Sequence, residues 1–140
     1  MRALVIAALL TAGPAIAEGT LAKPSTDANP KVRIDDDTLT YIGGINEAGL
    51  TALGAAVRDL PLWQVTKMLV NSGGGDTKPG IYIGSIIADL KPDLTIEVGC
   101  FSSCADFIAA AAANITIREN AFLGWHRNDR GFQIVADQWT

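Results

Sequence analysis

Residues 65–75 read VTKMLVNSGGG, a run of branched and long apolar residues that passes directly into three glycines. The run lies between Pro61 and the glycines and has the length and composition of a buried strand over 65–70. Glycines placed after a strand can adopt backbone angles closed to other residues, so their successive N–H groups can turn toward one concavity. Pro79 then sits where a helix would start, with Ile83, Ile86, Ile87 and Leu90 at helical spacing behind it. The stretch therefore predicts a strand–turn–helix unit.

The neighbouring segments repeat that alternation. Residues 18–31 contain Pro24, Ser25, Thr26, Asp27, Asn29 and Pro30 with little apolar content, and read as an extended leader. Short strands are predicted over 32–34 and 39–42, around the acidic turn Asp35-Asp36-Asp37. Asn46 and Glu47 can start a helix whose Leu50, Leu53, Val57 and Leu60 form one face, and Pro61 ends it. Downstream, Lys91-Pro92-Asp93 is a stop and turn, followed by a strand over 94–98 and a helix over 102–113. Strands over 115–117 and 121–123 then precede His126. Alternating strands and helices predict an α/β fold with right-handed crossovers and a largely parallel sheet. In such a sheet the loops at the strand C-termini collect on one edge, where sites are placed.

The N-terminus reads as a targeting segment. Arg2 is a positive start, residues 3–10 are an apolar run too short to cross a bilayer, and Ala15-Ile16-Ala17 has the form that signal peptidase cuts. Residues 1–17 are thus expected to be a cleaved signal peptide, residues 18–31 a leader and residues 32–140 one domain, in a periplasmic or secreted protein. No membrane span is expected in the mature chain. Its 10 Lys and Arg against 15 Asp and Glu, once Arg2 is removed from the 11 in the full sequence, give a net charge of about −5 with the charges scattered. With no basic stripe to neutralise phosphates, nucleic acid is excluded as a partner. Asp35-Asp36-Asp37 reads as a solvated turn, since Thr38-Leu39-Thr40 continues no calcium-loop ligand series.

Three stretches carry chemistry: Asn71-Ser72-Gly73-Gly74-Gly75, Cys100-Phe101-Ser102-Ser103-Cys104 and Gly124-Trp125-His126. The glycines suit an oxyanion hole or an ordinary turn. The Walker phosphate pattern and the dinucleotide-binding pattern both fail at Lys78. Ser102 sits between a strand and an alanine-rich helix, close to helical N–H groups, where it is either a nucleophile or an N-cap. His126, the single histidine, is either its base or a structural residue. Cys100 and Cys104, four apart in an exported chain, are read as a local disulfide in preference to free thiols or half of a metal site. No metal is expected, because His126 is the one other borderline ligand and no fourth partner is recognisable.

In order and separation, residues 69–126 resemble the proteolytic subunit of the Clp protease, and more closely the exported Clp-like proteins with paired cysteines around the serine. Asn71-Ser72, the glycines, Gly80, the isoleucine-rich helix and Lys91-Pro92-Asp93 carry the likeness. It implies a ClpP/crotonase-like right-handed spiral of ββα units, C-terminally incomplete here, with no cofactor. By the same resemblance Ser102 is the nucleophile, His126 its base, and the N–H groups of Gly75 and Ser103 the oxyanion donors. The family's third triad residue, an aspartate, would fall beyond Thr140; Asp129 and Asp137 are the later carboxylates, and neither sits at its position. The implied activity is that of an exported serine peptidase or hydrolase acting on a peptide or other acyl substrate, with self-association. Two alternatives stand beside it: a catalytically silent binding or assembly module, and a crotonase-like enzyme of acyl thioesters that would not need Ser102.

Overall fold

A computed structural model of the chain describes residues 22–127 and 131–134. The predicted signal peptide over 1–17 lies outside the described residues, as do Asp129 and Asp137. Strands β1 (Lys31–Asp35) and β2 (Thr38–Ile42) form an antiparallel hairpin around the acidic turn. Helix α1 (Glu47–Val57) follows, and its Asn46 cap accepts the Gly49 N–H at 2.9 Å. It stops at Val57, short of the expected end at Pro61. A proline ring disfavours helical backbone in the residue before it, so the last turn unwinds early and Leu60 N–H closes an i→i+3 bond on the Val57 carbonyl at 3.2 Å. A 3₁₀ turn over Leu62–Gln64, not anticipated from the pattern, leads into β3 (Lys67–Ser72).

Helix α2 (Thr77–Leu90) begins two residues ahead of Pro79, which occupies the first turn where its missing N–H leaves no bond unmade. Lys91, at φ +50°, ends it, its N–H bonding the Ile87 carbonyl at 2.8 Å. β4 (Asp93–Phe101) follows and is longer than expected. The single helix predicted over 102–113 does not form. In its place a π-helical turn, Cys104–Ile108, passes into a 3₁₀ turn, Ala109–Ala111. Packing accounts for the irregular winding: Gly80 and Gly84, one turn apart on α2, let the Phe107 ring and carbonyl come so close that a methyl group on Gly84 would lie 2.8 Å from that oxygen. Strands β5 (Asn114–Ile117), β6 (Phe122–Arg127) and β7 (Gly131–Ile134) complete the described chain.

The sheet runs β1-β2-β3-β4-β6-β7, with β5 also beside β4. The β2–β3, β3–β4, β4–β5 and β4–β6 pairs are parallel, and antiparallel β1 and β7 lie at the two ends of the order. This is the parallel-rich α/β arrangement that the alternation predicts. Leu39 and Tyr41, Met68 and Val70, and Leu94 and Ile96 alternate along their strands into a core shared with Leu53, Ile83, Ile87 and Ile108. Burial pushes the Tyr41 phenol far above its usual range, and its O–H donates to the Gly44 carbonyl at 2.8 Å. Among the described residues no helix is long and apolar enough to cross a membrane.

Candidate active site

The C-terminal ends of β3, β4 and β6 meet at one point, and the register between β3 and β4 helps to bring them there. Val70 pairs with Ile96 but Ser72 pairs with Cys100, so β4 carries two extra residues in a bulge just before its end. Bulges of this kind re-aim the strand that follows them. Beyond the bulge Phe101 pairs with Gly124 of β6, and the Ser102 N–H continues that ladder to the Gly124 carbonyl at 3.0 Å.

Ser102 itself turns the chain. Its φ is +53°, a left-handed conformation that non-glycine residues adopt rarely and mostly where surrounding structure imposes it. Its carbonyl accepts the Asp106 N–H at 2.9 Å, which starts the helical turn. A disulfide between Cys100 and Cys104, both fully buried, brackets the elbow and sets their Cα atoms 5.2 Å apart. Ser102 is half-buried, whereas Ser103 is 4% exposed and its hydroxyl donates to the Gly75 carbonyl at 2.8 Å. Among the described residues no hydrogen bond ties the Ser102 hydroxyl.

The glycine turn packs directly on this elbow. A methyl group on Gly74, whose φ is +90°, would lie 2.5 Å from the Phe101 carbonyl oxygen and 2.8 Å from Ser102 Cβ. The Ser72 hydroxyl accepts the Gly74 N–H at 3.1 Å. Ile45, after β2, clasps the turn on its far side: its N–H bonds the Gly74 carbonyl and its own carbonyl takes the Asp76 N–H, each at 2.8 Å. That leaves the Gly75 N–H without an acceptor among the described residues. Ile45 was not recognised as part of the site, and Ser72 and Gly124, though inside the stretches singled out, were given no role of their own. Ile45 has no local signal, because its contact spans 30 positions and depends on β2 lying next to β3.

His126 lies on β6 itself, where a loop after the strand was expected. It is two residues past Gly124 and so on the same face of the strand, is exposed, and pairs with Phe132 of β7. The strand order thus gathers Ser102, Ser103, Gly74, Gly75 and His126 at one sheet edge. Among the described residues no three His, Cys, Asp or Glu side chains are grouped to hold a metal ion.

A family model described as Clp protease matches residues 63–138, which is more than half of the chain. No curated protein sequence matches it. Among solved structures, a methylmalonyl CoA decarboxylase is similar at a TM-score of 0.52 and 12% identity, over 72% of this chain and 49% of that one. A protein assigned as an enoyl-CoA hydratase, from Rhodopseudomonas palustris CGA009, is similar at 0.51 and 13% identity, over 74% and 51%. DspI of Pseudomonas aeruginosa is similar at 0.50 and 10% identity, over 78% and 52%. At these identities the likeness is one of fold, and the chain spans about half the length of the structures it matches.

Proposed function

Because the chain belongs to the Clp protease family, we propose that it is a serine hydrolase of the Clp peptidase type, acting by acyl transfer on a peptide or another acyl substrate. The family and the ClpP/crotonase-like fold are the premise. The observation that carries the reading is the left-handed Ser102 at the β4 elbow, pressed against Gly74. A nucleophile raised on a strained strand-to-helix turn is a recurrent solution in hydrolases, since it presents the hydroxyl beside helical N–H groups. The same geometry favours Ser102 over Ser103, whose hydroxyl is already committed to the Gly75 carbonyl.

In this reading Ser102 Oγ attacks the acyl carbon while its proton passes to the imidazole of His126. The oxyanion so formed is held by the N–H groups of Gly75 and Ser103. As the tetrahedral species collapses, the bond to the leaving amine breaks and the imidazolium returns the proton to it. Water then repeats the sequence on the acyl-enzyme and releases the acid. The buried disulfide supports residence in an oxidising compartment, periplasmic or extracellular, after removal of residues 1–17. Self-association is part of the same proposal, by family likeness.

Treatment with a fluorophosphonate probe, read by intact mass, tests this. The full chain and Ser103→Ala are expected to gain one adduct, and Ser102→Ala and His126→Ala none. A folded chain that fails to react would favour the silent module. A second reading has one support, the CoA-enzyme names of structures that share the fold: the two N–H groups would then polarise an acyl thioester. Thioester turnover that survives Ser102→Ala would select it.

A further inference from the structure

The extended leader does not leave the site. Pro24 lies over β4, where a methyl group on Gly99 would be 2.5 Å from Pro24 Cγ. The next residue is held on both sides by the end of β3 and the glycine after it: the Ser25 N–H donates to Asn71 Oδ1 at 3.1 Å, and the Gly73 N–H donates to the Ser25 carbonyl at 2.7 Å. A methyl group on Gly73 would meet Thr26 Cγ2 at 2.6 Å. The Asp27 carbonyl accepts the Gly44 N–H at 2.8 Å, beyond the end of β2, and the Ala28 carbonyl accepts Asn46 Nδ2 at 2.9 Å at the start of α1.

Residues 24–28 therefore cross the C-terminal ends of three parallel strands in one extended pass, over Gly99, Gly73 and Gly44. The bonds that tie the leader to the sheet all use its own backbone, whatever side chains it carries. The glycines matter because they leave room for the leader: a Cβ at Gly99 or Gly73 would run into the Pro24 or Thr26 side chain, and one at Gly44 would lie 3.3 Å from the Asp27 carbonyl oxygen. Gly73 is the junction: its N–H is bonded to the leader, and the next residue, Gly74, is packed against Ser102.

We propose that residues 24–28 are a positioning strap for the catalytic elbow. Docked on Asn71 and Gly73, the strap fixes the first residue of the glycine turn, which in turn fixes how Gly74 and Gly75 meet Ser102 and Ser103. Through that linkage the strap sets the geometry of the nucleophile and oxyanion donors without touching the substrate. The catalytic consequence rests on the hydrolase reading, but the geometric one does not.

The test uses the full chain and Ser25→Pro, which removes one N–H and keeps an extended backbone. Asn71→Ala removes the acceptor of the same bond from the sheet side and carries the test should the proline variant fail to fold. Amide exchange is expected to be slow at Gly73 and Gly44 in the unsubstituted chain and about tenfold or more faster at Gly73 in either variant. The amide resonances of Ser102 and Ser103 should shift at the same time, with the far-UV spectrum unchanged. Fluorophosphonate reaction at Ser102 is expected to slow by about tenfold to a hundredfold, since displacements near 1 Å have effects of that size. Unprotected Gly73 in the unsubstituted chain overturns the docking. Faster exchange with unmoved Ser102 and Ser103 resonances, or with an unchanged rate of reaction, overturns the positioning role. A chain that never reacts with the probe refutes the hydrolase reading, and the resonances of Ser102 and Ser103 still decide whether the strap positions the elbow.

Discussion

The two ends of the parallel sheet are fastened by different physics. Where the strands begin, exposed side chains add to the backbone bonds that Thr66 and Lys67 make to the Asp37 carbonyl: the Asp37 carboxylate accepts from Thr38 and Thr66 at 2.9 Å each and pairs with Lys67 at 3.1 Å, and Asn114 donates to Asp93 at 2.7 Å. Where the strands end, the contacts are close and mostly buried. Gly74 packs on the Phe101 carbonyl, Ile45 clasps the glycine turn, the leader crosses Gly73 and Gly99, and a disulfide pins the elbow. Side-chain contacts at a wet surface adapt to substitution, because water replaces what is lost. Close buried contacts leave little room to adapt, so the chemistry-bearing edge should be the fragile one.

The strongest challenge to that contrast is Gly74→Ala. The added methyl would collide with the Phe101 carbonyl and Ser102 Cβ, at a φ of +90° that alanine rarely adopts. Strain and displacement together should cost about 2–4 kcal/mol of stability and about a hundredfold in fluorophosphonate reactivity. Urea melts and reaction rates measured on one preparation give both numbers. A near-neutral Gly74→Ala would mean that the two ends do not differ in rigidity.

Removing the disulfide should have the next largest effect. Cys100 and Cys104 close a loop with a sequence separation of 4, for which chain entropy predicts about 2 kcal/mol. The double variant Cys100→Ala, Cys104→Ala should lose that much in a urea melt. If the bond also holds the elbow, probe reactivity at Ser102 should fall by more than the fraction unfolded explains.

Tyr41→Phe probes the same edge one layer deeper. The variant keeps the buried ring and strands the Gly44 carbonyl that the phenol satisfied, next to the point where the Gly44 N–H holds Asp27 of the leader. A buried acceptor left unpaired costs about 1–2 kcal/mol, readable as a lower urea midpoint at unchanged slope.

Much of this architecture is legible in the sequence, and the reasons are local. Val65 to Val70 ran into glycines, Asn46 had the chemistry of a cap, and Lys91-Pro92 could not continue a helix, so the order of strands and helices followed from neighbouring residues. The junction that carries Ser102 was visible for the same reason. What could not be read depends on contacts between distant parts of the chain. The alanine-rich stretch after Ser103 fits a helical template, but the observed π turn starts at the disulfide-bonded Cys104 and packs its Phe107 against Gly80 and Gly84 of α2, contacts made by distant residues. The leader looked like surface chain because its partners, Asn71 and Gly73, lie 46 and 48 positions away from Ser25. The resemblance favours Ser102 over its neighbour Ser103, and what the sequence does not show is the physical difference between them: the left-handed backbone of Ser102 and the commitment of the Ser103 hydroxyl to the Gly75 carbonyl.

The smallest effect belongs to the other end of the sheet, and its sign follows from proton linkage. Hydrogen bonds from Lys67, Thr66 and Thr38, in that order of size, lower the Asp37 carboxyl from its ordinary 3.8 to about 2. A carboxylate with a depressed folded pKa stabilises the fold fully above its unfolded value, and that contribution disappears as the pH falls through the folded one. Thermal melts of the unsubstituted chain should therefore lose a component between pH 4 and pH 2 that Asp37→Asn lacks, with the two proteins converging at the acid end. At neutral pH the difference should be slight, because the carboxylate is exposed and its ion pair is screened. If Asp37→Asn instead cost as much at neutral pH as Gly74→Ala, the strand starts would be as rigidly specified as the strand ends, and the site would owe its order to the whole sheet and not to the backbone packing at one edge.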